Sequence, residues 1–390
     1  MKTLLRSLVL LLLLLLPAAV RAQSTVTGTI VSGGITREYR LYVPAAYSPG
    51  KAVPLLFNLH GYGSNNLEQE AYGDFRPIAD TANFLIVHPN GTVDAAGNRN
   101  WNTFTAPTAG GVDDVAFLSD LLTSLQARYS IDADRVYSTG MSNGGFMSYE
   151  LACKLSNRVA AIGSVTGSMV QSRLNACTPQ HPVPVMEIHG TADNTVPYNG
   201  NILFVPIPSV LDYWVRFNGC SPTPVVTAVP NTNTTDGSTA ERYVYSGGRN
   251  GSVVEHYKIL DGGHTWPGAP VSIGVTNRDI NASREVWRFL RRYRLSQLSV
   301  ALSTRPGTGV QSQVNIYPNP AQNIVAVCSA ELLSSSQVAA TDLLGRSQAL
   351  TARLIEPGVV EVRIDSWPAG VYQLRVVHKY GVSYHRLTKQ

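Results

Sequence analysis

Residues 25–43 alternate apolar and polar side chains on either side of Gly33-Gly34, which predicts an antiparallel hairpin leading into a sheet. The pattern then changes. Short apolar runs at 53–59, 84–87, 135–139, 159–165 and 183–188 alternate with stretches of helical periodicity, including 112–129 and 144–155. Strands apolar on both faces have to be covered on both faces. The fold class predicted is therefore α/β, with a mostly parallel, doubly wound sheet. Two further strands at 241–245 and 253–259 and a helix at 281–293 close this domain near residue 298.

The ends of the chain read differently. Lys2 and Arg6 precede an apolar run from Leu8 to Val20, and small residues flank Arg21, so residues 1–22 are expected to be a cleaved signal peptide rather than a membrane span. Residues 299–313 are small, polar and broken by Pro and Gly, as a linker would be. Residues 314–390 consist of short β-rich pieces separated by turns such as Pro318-Asn319-Pro320 and Pro368-Ala369-Gly370, which predicts a small β-sandwich. The expected organisation is thus a leader, an α/β domain over 23–298, a linker and a C-terminal β domain.

Composition narrows the chemistry. The formal charge of +5 falls to +2 once Lys2, Arg6 and Arg21 leave with the leader, so no basic surface for nucleic acid is expected. Cys153, Cys177, Cys220 and Cys328 are too widely spaced for a zinc motif, and neither metal nor cofactor is expected. In an exported chain they are free to form disulfides. Cys153 ends the helix after residue 142, and Cys177 precedes the strand that leads to His189. Both should lie at one pole of the sheet, with Cys220 as the rival partner.

Gly140-Met141-Ser142-Asn143-Gly144 has the G-x-S-x-G form and stands between a predicted strand and a predicted helix. So tight a turn leaves the serine hydroxyl projecting above the sheet, as in the nucleophile elbow of α/β-hydrolases. A serine needs a base, and the base needs an acid to orient it. His264 lies in a Gly-rich loop after the last predicted strand, and Asp193 lies in the loop after the strand at 183–188. Asp261 competes for the acid role but is only three residues from His264. The oxyanion donors expected are the backbone N–H groups of Asn143 and Tyr62, the latter flanked by glycines in the loop after the strand at 53–59. Trp101, Tyr198 and Trp266, on neighbouring loops, are expected to offer an aromatic substrate surface. His60 and His189, each before a glycine at a strand end, are expected to be buried hydrogen-bonding residues.

The segments L-H-G-Y-G-S-N (59–65), D-R-V-Y-S-T-G-M-S-N-G-G (134–145), H-G-T-A-D-N-T-V-P-Y (189–198) and G-G-H-T-W-P-G (262–268) together resemble the polyhydroxybutyrate depolymerase-like esterases, a group that includes feruloyl and acetylxylan esterases. The resemblance implies an α/β-hydrolase fold and a secreted serine carboxylic-ester hydrolase with Ser142, His264 and Asp193 as its triad. Its substrate would be a polymeric or small ester. Many relatives carry a further Cys where this chain has Tyr245-Ser246-Gly247, so a pairing of Cys220 does not carry over. In the tail, N-I-Y-P-N-P-A (315–321), D-L-L-G-R (342–346) and W-P-A-G-V-Y-Q-L-R-V (367–376) resemble the sorting domain read by the type IX secretion system of Bacteroidetes. That implies an extracellular or surface-attached protein whose partner is the secretion machinery. Two other functions compete. A prolyl oligopeptidase-type peptidase has the same fold and a similar turn, but the stretch before residue 35 offers no propeller. A catalytically inactive polymer-binding protein would have no need of all three triad residues.

Overall fold

The computed structural model describes residues 23–104, 111–299, 314–329, 337–342, 346–378 and 381–390. The expected leader, and all but the first residue of the expected linker, lie outside these. The chain divides into two compact units, Met1–Leu302 and Ser303–Gln390.

The first unit holds strands β1 (Ser24–Ser32), β2 (Ile35–Val43) and β3 (Val53–Leu59), helices α1 (Asn66–Tyr72) and α2 (Arg76–Ala82), then β4 (Leu85–Pro89) and α3 (Asp114–Gln126). β5 (Ile131–Met141), α4 (Asn143–Lys154), β6 (Ala161–Val165), β7 (Val185–Gly190) and α5 (Ile207–Asn218) follow. β8 (Val225–Ala228), β9 (Thr239–Tyr245), β10 (Val254–Leu260) and α6 (Ala282–Leu290) end the unit's main elements.

The ten strands form one sheet in the order β1-β2-β4-β3-β5-β6-β7-β10-β9-β8. The centre, from β4 through β3, β5, β6 and β7 to β10, is parallel. The edges are antiparallel. The β1–β2 hairpin turns on Gly33 and Gly34 at φ 57 and 79, a left-handed pair that favours glycine. This is the strand order of an α/β-hydrolase.

Alternation within the buried strands decides which helix covers which face. Leu55 and Phe57 of β3 point into a core shared with α3, α4 and α5. Leu56 points into the opposite core with Phe75, Ala79 of α2, and Val286, Trp287 and Phe289 of α6. β5 runs beyond the expected 135–139 because Ile131 pairs with Val53 across a register shift and Met141 pairs with Val165. α1 and α2 were not anticipated; each is only seven residues, and α1 starts where the Asn65 side chain accepts from the N–H groups of Leu67 and Glu68.

The second unit packs a four-stranded sheet against a three-stranded one. Val325, Val360, Val362, Leu374, Val376 and Leu387 share its core. Of the tail motifs, residues 343–345 lie outside the described residues; in the last motif Trp367 is buried against Tyr372, with ring centroids 4.8 Å apart, and its indole N–H donates to the carbonyl of Ala349.

Candidate active site

Because β3, β5, β7 and β10 run parallel in one sheet, the loops after their C-terminal ends emerge along one edge. Those loops carry residues 60–64, Ser142, Asp193 and His264.

Ser142 joins β5 to α4 with φ 53 and ψ −121, a conformation that is strained for a residue with a side chain. The turn is clamped on both sides: the Ser142 N–H donates to the carbonyl of Val165 at 2.8 Å, and its carbonyl accepts from the Phe146 N–H at 3.0 Å. The two glycines are steric necessities. A Cβ on Gly140 would lie 2.6 Å from the Gly144 and Leu59 carbonyl oxygens, and one on Gly144 would lie 2.1 Å from the Leu59 oxygen. Strand β3 and the start of α4 therefore touch backbone to backbone.

His264 donates from Nδ1 to Asp193 Oδ2 at 2.7 Å. Oδ1 of Asp193 accepts the N–H groups of Thr195 and Val196, each at 2.8 Å. Burial works against an ionised Asp193, but the hydrogen bonds from His189 and His264 outweigh it and hold the carboxyl well below the usual carboxylate range. Asp261 is exposed, and its N–H bonds the Thr191 hydroxyl. The contact from His264 goes to Asp193.

Ser142 and His264 line one cleft of about 460 Å³, together with Gly61, Tyr62, Met141, Tyr72 and Ile273. The loop after β3 passes close to the serine, since a Cβ on Gly61 would be 3.5 Å from Ser142 Cβ. Among the described residues, the backbone N–H groups of Asn143 and Tyr62 have no hydrogen-bond acceptor, whereas that of Ser142 is spent on Val165. The Tyr62 side chain is 55% exposed and donates to Asp94 at 2.8 Å.

The expected aromatic surface needs correction. Trp101 and Trp266 are each 1% exposed and absent from the cleft lining. Trp101 is packed between His60 and Phe117, and its indole N–H donates to the His60 carbonyl, so it holds up the loop that carries Tyr62. Trp266 packs edge-on to Phe75 and donates to Ser283 Oγ. Tyr198 is part-buried, with its hydroxyl bonded to His256, and it too is absent from the lining. A Trp or Tyr in a Gly-rich loop looks exposed in sequence, but each of these rings packs beneath the loop that presents it.

The side chain of Asn143 was missed. Its amide accepts the Trp101 N–H at 2.7 Å and donates to the Trp101 carbonyl and to Thr103, tying the first residue of α4 to the 101–103 loop. The lining residues Glu68, Gln69, Ala71, Tyr72, Pro270, Val271 and Ile273 were missed as well, because they come from α1 and from the loop after His264, neither of which carries a motif. The expected Cys153–Cys177 disulfide is formed, while Cys220 and Cys328 are free thiols.

A strained strand–turn–helix elbow at Ser142 on a sheet of this order defines the α/β-hydrolase class. Within that class, residues 37–193 match the family described as Esterase PHB depolymerase. The chain is 25% identical over 260 residues to a bifunctional acetylxylan esterase/xylanase of Neocallimastix patriciarum, covering 67% of this chain and 34% of that protein. It is 28% identical over 286 residues to feruloyl esterase D of Neurospora crassa, covering 70% of this chain and 87% of that one. Among solved structures, the acetyl xylan esterase from Aspergillus awamori superposes with a TM-score of 0.49 at 15% identity, over 62% of this chain and 94% of that one. The chain thus spans about a third of the first of these relatives.

Proposed function

We propose that this protein is an exported serine esterase whose Ser142, His264 and Asp193 act as a triad. The observation that carries the reading is the 2.7 Å bond from His264 to Asp193, with the same His264 and Ser142 forming walls of one cleft. In this mechanism Nε2 of His264 takes the proton of Ser142 as Oγ attacks the ester carbonyl carbon. The N–H groups of Asn143 and Tyr62 stabilise the oxyanion. The tetrahedral intermediate collapses, His264 returns the proton to the departing alcohol, and water repeats the sequence on the acyl-enzyme.

The cleft supports an acyl group larger than acetyl. Its volume of about 460 Å³ and its lining of Ala71, Tyr72, Met141, Pro270, Val271 and Ile273 suit an aromatic or hydroxyalkanoyl group, with Ser64, Glu68 and Gln69 supplying polarity. Val271 and Ile273 are 61% and 62% exposed, an apolar rim against which a polymer chain can rest. The apolar leader and the tail motifs support export through the type IX machinery.

The purified protein should hydrolyse methyl ferulate and polyhydroxybutyrate with higher kcat/KM than acetylxylan. A prolyl amide cleaved as efficiently as its matched ester would replace the esterase reading with a peptidase.

A further inference from the structure

His189, the penultimate residue of β7, has a side chain with no exposure, and both of its ring nitrogens face oxygen. Nδ1 lies 2.9 Å from Glu187 Oε1. Nε2 lies 2.8 Å from the carbonyl of Val196 and 3.4 Å from Asp193 Oδ2. A carbonyl can only accept, so Nε2 carries a proton. Glu187 already accepts at Oε2 from the Tyr149 hydroxyl at 2.8 Å, and it meets His189 with its other oxygen. With Glu187 ionised, a neutral ring would set an unshared pair against that oxygen, whereas an imidazolium satisfies both contacts.

We propose that His189 is a positioning residue: held as an imidazolium between Glu187 and Asp193, it fixes the Asp193 carboxylate so that Oδ2 stays aimed at Nδ1 of His264. This rests on the triad reading above. Asp193 and the Val196 carbonyl belong to one short loop; the ring donates to the carbonyl and sets its charge 3.4 Å from Oδ2 of Asp193, while the N–H of Val196 closes the turn onto Oδ1. Losing the ring's charge would loosen the acid without removing any atom that meets the substrate.

The surroundings favour the charge. Burial alone would lower the pKa of His189, but hydrogen bonds to Asp193 and Glu187 and the two negative charges prevail and raise it to about 9. Among its other neighbours, the Tyr198 ring lies edge-on, and the buried His256 is neutral, donating to the Glu187 carbonyl and accepting from Tyr198. Lys258, its partner across β7 and β10, lies over the Tyr198 ring at 5.6 Å. Activity should therefore fall above about pH 9 as the imidazolium is lost.

The test has two arms. In the full chain carrying Ser142→Ala and ¹⁵N-labelled histidine, NMR should show both nitrogens of His189 protonated at neutral pH, the resonance being assigned through its contact with the Tyr198 ring. In His189→Gln, kcat should fall about 10²-fold with KM little changed, as a misplaced catalytic group requires, and the alkaline decline should disappear. An unprotonated His189 nitrogen at neutral pH overturns the proposal and leaves the triad standing. So does a folded His189→Gln with wild-type kcat. If His189→Gln does not fold, the NMR arm decides. Residual activity of Ser142→Ala would instead refute the triad.

Discussion

Three buried histidines make the first unit sensitive to mild acid. His60 donates from Nδ1 to the Gly61 carbonyl and accepts the Gly91 N–H at Nε2, so a second ring proton would confront a donor. His256 is buried between the Glu187 carbonyl and the Tyr198 hydroxyl, and burial disfavours its charged form. His88 is buried with Nε2 3.2 Å from the Asn58 amide. Burial lowers the three pKa values to about 4, 3 and 3 for His60, His88 and His256. In the unfolded chain each takes a proton near pH 6.5. The stability they contribute is complete above that pH and is lost as pH falls toward the folded values. Each group removes about 2 kcal/mol between pH 7 and 5, or about 6 kcal/mol together. His189 has the opposite sign, its folded pKa being raised, and returns less than about 1 kcal/mol over the same interval. Glu150 and Glu187, raised by burial, oppose the loss toward the lower end. The net loss of about 4 kcal/mol or more is a large part of a typical domain's stability. Urea unfolding followed by tryptophan fluorescence should report it, since Trp101, Trp214, Trp266 and Trp287 lie in this unit. The midpoint should fall by about 1 M between pH 7 and 5, because a unit of this size has an m-value of about 3 kcal/mol/M or more. An unchanged midpoint, or one that rises, would refute the assignment of neutral buried histidines.

Two further outcomes follow from the geometry. Gly144→Ala would place its Cβ 2.1 Å from the Leu59 oxygen, so α4 and the Asn143 N–H must move away from β3; kcat should fall about 10²-fold or more, measured on protein whose thermal unfolding shows it folded. Removing the Cys153–Cys177 bond by Cys153→Ala and Cys177→Ala opens a loop with a sequence separation of 24, which should cost about 3.5 kcal/mol in denaturant unfolding and leave kcat intact, because neither residue lines the cleft.

Much of this was legible in the chain because its grammar is local. The strand–turn–helix around Ser142 can be read from two glycines and an apolar run, and the central strands from unbroken apolar stretches that only a sheet covered on both faces explains. Asp193 and His264 could be placed because parallel strands send their following loops to one edge. The cleft was illegible for the opposite reason: its walls come from α1 and from residues 270–273, distant in sequence and brought together only by the tertiary fold. Trp101 and Trp266 were misjudged because the ring that supports a loop and the ring that a loop exposes look alike in sequence. The paired acceptors around His189 are likewise invisible until β7 and its loop are in place.

If the hydroxyl of Ser142 is the nucleophile, a covalent trap for serine hydrolases will mark that residue. The intact protein would be treated with a fluorophosphonate and digested, and the modified peptide sequenced by mass spectrometry, alongside a Ser142→Ala control. One modified serine, Ser142, is expected, together with a control that takes no label and keeps less than about a thousandth of the activity toward p-nitrophenyl acetate. A label on a different serine, or a folded Ser142→Ala protein that retains more than about a hundredth of the rate, would contradict it.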